Sequence, residues 1–331
     1  EEKIALKKQY TDNAEAWYYY NKGRFLWDNR TTSSFDSAKV YYEKATTLDP
    51  KYALAYTGLA DLYVFNQKGL TQKEAVPIAR DFANKALALD STLVPAITTL
   101  GFVQSAFEYD WKKAKLTLEK AISMDPKYTY AHIYYGNVLI LTRENMDAAI
   151  EQHKIALSIE PLSVSVNWIL GRTYFNAGKL DLAEEQFRKT LKLFPKAGYL
   201  SRWTLSWLLL SQKRYAEAIE LIKQISKNTA ENQGTMLTYA YAAMGDSIRA
   251  KKELAKTIAE NSYVSPYFLA RDYVSLKDYN KAMDYLEIAY ENRDIMMYGV
   301  NVDRVMNPIR NDPRFIELMK KMNFEHISVI E

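Results

Sequence analysis

One phrase, repeated at near-constant spacing, limits what this chain can fold into more than any other feature. It reads Lys44-Ala45-Thr46-Thr47-Leu48-Asp49-Pro50, then Lys85-Ala86-Leu87-Ala88-Leu89-Asp90-Ser91, then Lys120-Ala121-Ile122-Ser123-Met124-Asp125-Pro126. Ile155-Ala156-Leu157-Ser158-Ile159-Glu160-Pro161 and Lys189-Thr190-Leu191-Lys192-Leu193-Phe194-Pro195 continue the series. The intervals between the last residues of successive copies are 41, 35, 35 and 34. Units of that length bury their apolar faces by stacking on their neighbours, so the core is a continuous strip. The small residue of each phrase (Ala45, Ala86, Ala121, Ala156) lets the second helix of one unit approach the next closely. The acid-proline pair ends that helix, because proline has no N–H for the ladder and disfavours helix in the residue before it.

A second signature follows each stop. Tyr56, Leu59, Ala60 and Tyr63 fall at i, i+3, i+4 and i+7, the core stripe of an amphipathic helix. Leu100-Gly101, Tyr135-Gly136 and Leu170-Gly171 with Tyr174 are its counterparts, and the small member marks where the two helices of a unit cross. Further along each unit stands another alanine (Ala114, Ala149, Ala183), after a short turn such as Asn176-Ala177-Gly178-Lys179.

These residues and their period resemble the tetratricopeptide-repeat (TPR) family over nearly the whole chain. The unit opening at Val164 fits best, with Leu170, Gly171, Tyr174, Gly178, Ala183, Phe187 and Pro195. The resemblance implies an all-α fold: a right-handed α-solenoid of about eight TPR helix-turn-helix units with a C-terminal capping helix. The expected boundaries are a lead-in over 1–13, units 1–5 over 14–195, units 6–8 over 196–292, and a loop with the capping helix over 293–331. Extra residues stand around Arg30 to Ser34 and an insertion runs from Phe65 to Lys73. Past Pro195 the proline stop disappears, but Leu205, Tyr215, Ala218 and Ile222, then Tyr241, Gly245, Ala250 and Leu254, then Leu269, Ala270, Tyr273, Tyr279, Ala282, Leu286 and Ala289 keep the pattern.

A narrower likeness lies at the two ends. Lys22-Gly23-Arg24-Phe25-Leu26-Trp27 with Arg30-Thr31, and Asp312-Pro313-Arg314-Phe315 with Lys320-Lys321-Met322-Asn323, resemble C-terminal TPR segments of multidomain bacterial regulators. Those proteins carry a winged-helix, nucleotide-cyclase or Ser/Thr-kinase output domain. The resemblance implies a sensor or docking part of such a protein, with the output domain upstream. Glu1-Glu2-Lys3 carries neither an initiator Met nor a signal-peptide apolar region, so the chain reads as a fragment. Both cytoplasm and periplasm stay open as compartments, and so does membrane anchorage of a longer protein.

Composition narrows the function by exclusion. The 44 basic and 40 acidic residues are interspersed, leaving a net charge of +4 and no basic block for direct nucleic-acid binding. There is no cysteine, which removes disulfides, thiolate metal sites and a Cys nucleophile. The longest apolar runs, such as Trp207 to Leu210, are too short to cross a bilayer. His132, His153 and His326 lack Asp, Glu or Cys at helical spacing, so no metal site is expected. His132 and His153 read as structural core histidines and His326 as exposed. Carboxylate pairs such as Glu184-Glu185 belong on solvated faces, and no nucleophile elbow occurs. The expectation is a binding protein with no catalytic residues and no cofactor.

The 26 tyrosines and six tryptophans point instead to a contact surface. In a TPR array the first helix of each unit lines the inner face. The register places there Trp17, Tyr20, Arg24 and Trp27 in the first unit. Phe102, Tyr130, Ile133, Asn137, Trp168, Arg172 and Phe175 follow in the middle units, and Trp203, Trp207, Tyr239, Tyr267 and Arg271 in the later ones. Trp, Tyr and Arg dominate binding hot spots, and such a groove suits an extended peptide or a helix with apolar and acidic side chains. The stretch between Tyr130 and Trp207 is the expected principal docking surface. Packing between adjacent helices is the competing role for each aromatic. The Lys/Asn clamp by which chaperone-binding TPR domains hold a C-terminal carboxylate is not expected. Its positions hold Tyr20 and Arg24, Thr57 and Asp61, Thr98 and Phe102, and only Asn137 fits. The partner class is thus a protein or peptide, with sugar or small-molecule sensing and homodimerisation as alternatives.

Overall fold

The computed structural model describes residues 10–28, 32–65, 70–195, 198–225, 230–261 and 263–326. Residues 1–9 of the expected lead-in, Arg30 and Thr31 of the extra stretch, and residues 66–69 of the insertion lie outside these. Sixteen α-helices alternate as first and second members of eight pairs. They are α1 (Ala14–Asp28) and α2 (Thr32–Leu48), α3 (Ala53–Phe65) and α4 (Gln72–Leu89), α5 (Val94–Ala106) and α6 (Trp111–Met124), and α7 (Thr129–Leu141) and α8 (Met146–Ile159). The series continues with α9 (Val164–Asn176) and α10 (Leu180–Leu193), α11 (Tyr199–Ser211) and α12 (Tyr215–Lys223), α13 (Ala230–Ala243) and α14 (Ser247–Glu260), and α15 (Pro266–Ser275) and α16 (Tyr279–Glu291). Two 3-10 helices, Ile295–Val302 and Arg304–Ile309, lead into a last helix, α17 (Pro313–Lys321). No strand occurs among the described residues, and the architecture is an all-α solenoid. The chain divides into two compact units: one runs to Phe107 and includes Lys112–Ala131, the other comprises Glu108–Trp111 and everything from His132 onward.

The stop after the second helix of the first four pairs owes more to the acid than to the proline. Helices α2, α4, α6 and α8 end immediately before Asp49, Asp90, Asp125 and Glu160, although Ser91 replaces proline after α4. In the three aspartates a side-chain oxygen accepts the backbone N–H two residues on: Lys51 at 2.9 Å, Thr92 at 3.1 Å and Lys127 at 3.0 Å. This Asx turn gives the chain a hydrogen-bonded alternative to another helical turn.

Five of the turns inside pairs close in the same way. At Gly178 (φ 76°) the backbone turns left-handed, its N–H reaches the Phe175 carbonyl and the Lys179 N–H reaches that of Tyr174. This is the Schellman closure of a helix C-terminus. The same two bonds recur at Arg143, Lys213, Gly245 and Lys277, all with positive φ. Only the turns at Gly178 and Gly245 carry glycine, because in the others the paired bonds hold non-glycine residues in a conformation that costs them about 1 kcal/mol.

The two helices of a pair meet where the first lacks a side chain and the second supplies a bulky one. A Cβ placed on Gly23 would stand 2.7 Å from the Tyr42 ring, and Gly58, on the first helix of the next pair, meets the same ring from its other side at 2.6 Å. At Gly101 it would stand 2.7 Å from Leu118, at Gly136 2.5 Å from His153, and at Gly171 2.5 Å from Phe187. Ala45, Ala86, Ala121 and Ala156, with Ala114, Ala149 and Ala183, are fully buried, as their small size required. His153 is therefore the fourth pair's core knob. Its Nε2–H donates to the Ile133 carbonyl at 3.0 Å, while Nδ1 faces Thr173 Oγ1 at 2.6 Å. Complete burial pulls its pKa down to about 4. His132 is buried too, with Nδ1 2.7 Å from Gln152 Oε1, and His326 is exposed.

Two outcomes follow for stability. Lys213→Gly should raise the unfolding free energy by up to about 1 kcal/mol, and Gly245→Ala should lower it by about as much, both measured by urea denaturation. The methyl added at Gly245 meets no atom within 4 Å, so that loss reports backbone strain alone. For His153, a folded pKa near 4 against an ordinary value near 6.5 makes the unfolded chain bind the proton first. The stabilisation is complete above pH 6.5 and drains away as pH falls towards 4, by about 3 kcal/mol. His153→Phe, which copies Phe187, should flatten that part of the stability–pH curve relative to the parent chain.

Candidate partner-binding site

The first helices carry two aligned columns of side chains. One lies directly after the crossing residue and runs Arg24, Asp61, Phe102, Asn137, Arg172, Trp207, Tyr239 and Arg271. The other lies one helical turn earlier and includes Tyr20, Thr57, Trp168, Trp203 and Tyr267. Residues four apart on a helix share a face, so each helix presents one pair to its neighbours.

In the unit that ends at Ala131, these columns border a cleft lined by Tyr20, Arg24, Thr57, Gly58, Asp61, Pro95 and Tyr128. A polar ladder crosses three first helices. Arg24 Nη1 stands 3.9 Å from Asp61 Oδ2, and Thr99 donates to Asp61 Oδ1 at 2.7 Å. The Arg24 guanidinium lies 4.7 Å over the Trp27 ring. Trp27 itself is 1% exposed, edge-on to Tyr130 and Phe65, while Phe65 stacks on the buried Phe102 at 5.3 Å. Of the residues named from sequence here, Trp27 and Phe102 are core, whereas Tyr20, Arg24 and Tyr130 are half-buried along the face. Trp17 is 58% exposed and shares α1 with the exposed Tyr18 and Phe25.

In the other unit the columns engage one another and then the chain's own C-terminal segment. Arg172 donates to Asn137 Oδ1 at 2.7 Å and lies 4.8 Å over the Trp168 ring; Trp168 donates to Thr204 Oγ1 at 2.8 Å. Trp207 packs edge-on against Tyr239 and Trp203, and Arg271 sits 3.8 Å over its ring. The segment after α16 crosses this face. Asn323, Asn301 and Arg304 donate to the carbonyls of Tyr109, Leu141 and Phe175, at 3.0, 3.0 and 2.9 Å. Those carbonyls lie at or just past the ends of α5, α7 and α9, so the segment makes one such bond per repeat. Asp303 accepts from the Tyr267 hydroxyl at 2.7 Å and lies 3.0 Å from Arg271 Nε. Trp111 donates to the Met322 carbonyl at 2.7 Å and is flanked by the rings of Tyr298 and Phe324. Arg310, 1% exposed, donates to the carbonyls of Asn301 and Asp303, and burial pulls its pKa down to about 10.

Two expected features meet this segment. The stretch 293–331, expected to hold a loop and the capping helix, also contains two 3-10 helices whose Met297, Tyr298, Val300, Val302, Val305, Met306 and Ile309 are buried. The apolar residues there follow neither a helical nor a strand period, which is why the sequence pattern passed over them. The expected docking stretch from Tyr130 to Trp207 includes Phe175 and Trp207, and in the structure Phe175 is capped by Arg304 while Trp207 carries Arg271. Tyr267 and Arg271, further along the same columns, are held by Asp303. The capping helix α17 is present as expected: it buries Phe315, Leu318 and Met319 and anchors Arg314 to Asp284 and Glu287 of α16. No trio of metal-ligating side chains occurs among the described residues, and no helix among them is long and apolar enough to cross a membrane.

Two tetratricopeptide-repeat family models match the chain, over residues 16–52 and 170–232. The chain is a TPR protein. It is 25% identical over 261 residues to superkiller protein 3 of Schizosaccharomyces pombe, covering 74% of this chain and 18% of that protein. It is also 25% identical over 170 residues to protein bimA of Emericella nidulans, covering 49% of this chain and 20% of that one. The chain thus spans about a fifth of the length of these curated relatives. Among solved structures it resembles yeast Tom70, with TM-score 0.57 and 16% identity over 95% of this chain and 69% of that one. It also resembles a TPR protein of Parabacteroides merdae, with TM-score 0.52 and 15% identity over 82% of this chain and 100% of that one. Identities this low bear on the fold alone. TPR units mediate protein–protein interaction, and stacked repeats of this kind provide extended binding surfaces.

Within the TPR array, Asp303 is the buried counter-charge of Arg271, whose side chain is 8% exposed. Asp303→Ala should therefore lower the unfolding free energy by about 3 kcal/mol, because it strands a buried cation. Denaturation of the variant against the parent checks this, and an effect under about 1 kcal/mol would show the pair to be solvated.

Proposed function

We propose that this TPR protein is a protein-interaction module that takes a peptide or a segment of a partner protein on the inner-helix face of its first three repeats. One contrast carries the reading: around Tyr20, Arg24 and Tyr128 that face borders a cleft, whereas in the other unit Asp303 engages the column residues Tyr267 and Arg271, and Asn301, Arg304 and Asn323 bond to the carbonyls of Leu141, Phe175 and Tyr109. Half-buried Tyr and Arg around a cleft are the residue types that supply most binding energy at interfaces. Trp17, Tyr20, Arg24 and Tyr130 are the sequence-named residues this reading retains as contacts. It also keeps the regulatory setting suggested by the resemblance of the two ends of the chain to bacterial signalling and transcription regulators. A second reading, homo-oligomerisation, is favoured by the exposed Trp17, Tyr18 and Phe25 on α1.

The reading is tested by selecting displayed peptides on the whole chain and measuring the best binder against two double variants. Tyr20→Ala with Tyr128→Ala should weaken it at least about tenfold while circular dichroism stays unchanged, since hot-spot truncations cost 2 kcal/mol or more. Trp168→Ala with Trp203→Ala should change it little. The opposite pattern would move the site to the later repeats. Light scattering that shows a monomer at high concentration would remove the second reading.

A further inference from the structure

Each first helix has a face that its own repeat does not cover. Two residues past the small residue of the crossing stand Leu62 in α3, Val103 in α5, Thr173 in α9 and Leu208 in α11. In all seven later first helices this position is at most 2% exposed. The position two residues before the crossing is buried in all seven as well, and the position five before it in six. At these spacings the three positions share one face of the helix. Contacts inside each compact unit show what covers that face, and each time it is the preceding pair. A Cβ on Gly58 would stand 2.6 Å from the ring of Tyr42 in α2, and Thr99 donates to Asp61 of α3 at 2.7 Å. Thr173 Oγ1 meets His153 Nδ1 of α8 at 2.6 Å, and Thr204 Oγ1 accepts from Trp168 of α9 at 2.8 Å.

In α1, whose crossing residue is Gly23, the same three positions are Tyr18, Asn21 and Phe25. Phe25 is 70% exposed, Tyr18 is 52% exposed, and Asn21 and Ala14 are exposed beside them. Helix α1 thus presents to solvent, in register, the surface that receives a helix pair elsewhere in the array. The last pair offers no counterpart to it. Helix α17 follows α16 with Phe315, Leu318 and Met319 buried, and it turns Glu317, Lys320 and Lys321 outward. A polar cap of that kind gives α1 nothing apolar to stack on, so head-to-tail association into an open polymer is disfavoured. The α1 face does match itself. In an antiparallel α1 pair about a two-fold axis, Phe25 of one copy lies over the small Ala14 of the other, and Tyr18 lies beside Asn21. Along one flank Glu15 then comes opposite the other copy's Lys22, twice per pair. Lys22 is kept on that flank by the Tyr41 ring, 4.6 Å from its Nζ. Within one α1 the two charges are seven residues, roughly 10 Å, apart and do not reach each other.

We infer that the Tyr18, Asn21 and Phe25 face of α1 docks a second copy of this chain, α1 antiparallel to α1 in a closed two-fold dimer. This rests on the second reading above, homo-oligomerisation, and gives it a surface, a symmetry and a charge pairing. The contact is isologous, so it ends at two copies. One helix pair buries less than the roughly 800 Å² per partner of stable complexes, which makes the dimer weak and concentration-dependent. Tyr20, Arg24 and the cleft beside them lie on another side of α1 and stay accessible in the dimer.

The experiment is sedimentation equilibrium of the 331-residue chain from about 10 μM to about 1 mM, over which a monomer–dimer equilibrium should appear with no larger species. Phe25→Asp should weaken the dimer at least about tenfold with circular dichroism unchanged, since each dimer loses the ring twice. Glu15→Lys and Lys22→Glu should each weaken it about threefold, and the double variant should return to within about twofold of the parent. The chain has no cysteine, so Asn21→Cys supplies a single thiol close to the two-fold axis. A short bismaleimide should join two copies through it, whereas Lys192→Cys on the exposed side of α10 should stay uncoupled at the same concentration. A dimer indifferent to Phe25→Asp and not coupled through Asn21→Cys would overturn the inference and leave homo-oligomerisation standing. Charge variants that weaken singly without recovery in the double would overturn the antiparallel pairing. A chain monomeric at about 1 mM overturns both the inference and the reading it rests on. Dimers that then form only when residues 1–9 are removed would assign the α1 face to those residues.

Discussion

The close crossing of the two helices in each repeat is the constraint on which everything else rests. It needs a small residue on the first helix, glycine at Gly23, Gly101, Gly136 and Gly171, and a large one opposite. Tyr42, Leu118, His153 and Phe187 each fill that gap in their own repeat. The knob can be phenol, alkyl, imidazole or phenyl, since what the site demands is volume and a way to satisfy any polar atom brought along. His153 meets the second demand with the Ile133 carbonyl and the Thr173 hydroxyl. Because the crossing fixes the rotation of each first helix about its axis, the residue directly after the small one and the residue a turn before it always emerge on the inner face. The two columns are thus a by-product of core packing.

Those columns meet different fates. In the later repeats the C-terminal segment is not a loosely laid strap. It buries Met297, Val300, Met306 and Ile309 essentially completely, and burying side chains of this size contributes roughly 1.5–3 kcal/mol each. Its polar bonds are addressed to carbonyls that the end of a helix leaves without an intrahelical donor. Three such carbonyls, from Tyr109, Leu141 and Phe175, are capped from a distance in sequence by Asn323, Asn301 and Arg304. A segment that completes both the apolar strip and the helix ends belongs to the fold, and a partner would have to replace all of it at once.

Local chemistry made much of this legible in the sequence, and long-range chemistry did not. The helix stops at Asp49, Asp90 and Asp125 and the crossings at Gly101, Gly136 and Gly171 follow from residues within one repeat, and they repeat, so a single chain displays them several times over. The turns at Arg143, Lys213 and Lys277 escaped notice because arginine and lysine carry no mark of left-handed backbone; only the paired hydrogen bonds reveal it. The 3-10 segment escaped for a different reason. Its partners Leu141 and Phe175 lie 160 and 129 positions away from Asn301 and Arg304, and no local period encodes a contact of that separation. Likewise, the inner-face register could be assigned to Trp27 and Trp17 alike, but not that the first is buried under Tyr130 and Phe65 while the second stands in solvent.

The placement of arginine on tryptophan ties these strands together. It occurs three times on the inner-helix columns, at Arg24 on Trp27, Arg172 on Trp168 and Arg271 on Trp207. A guanidinium is weakly hydrated and planar, so a ring face can hold it in the partly dry surroundings of a helix-lined surface where a lysine ammonium would be costly. Stacking uses the faces of the group and leaves its in-plane donors to select an acceptor. Arg172 donates to Asn137, and Arg271 is charge-paired with Asp303, 3.0 Å from its Nε. Arg24 stands 3.9 Å from Asp61, on a helix face that borders a cleft. The same guanidinium-over-indole element therefore recurs in the first repeat and in the later ones.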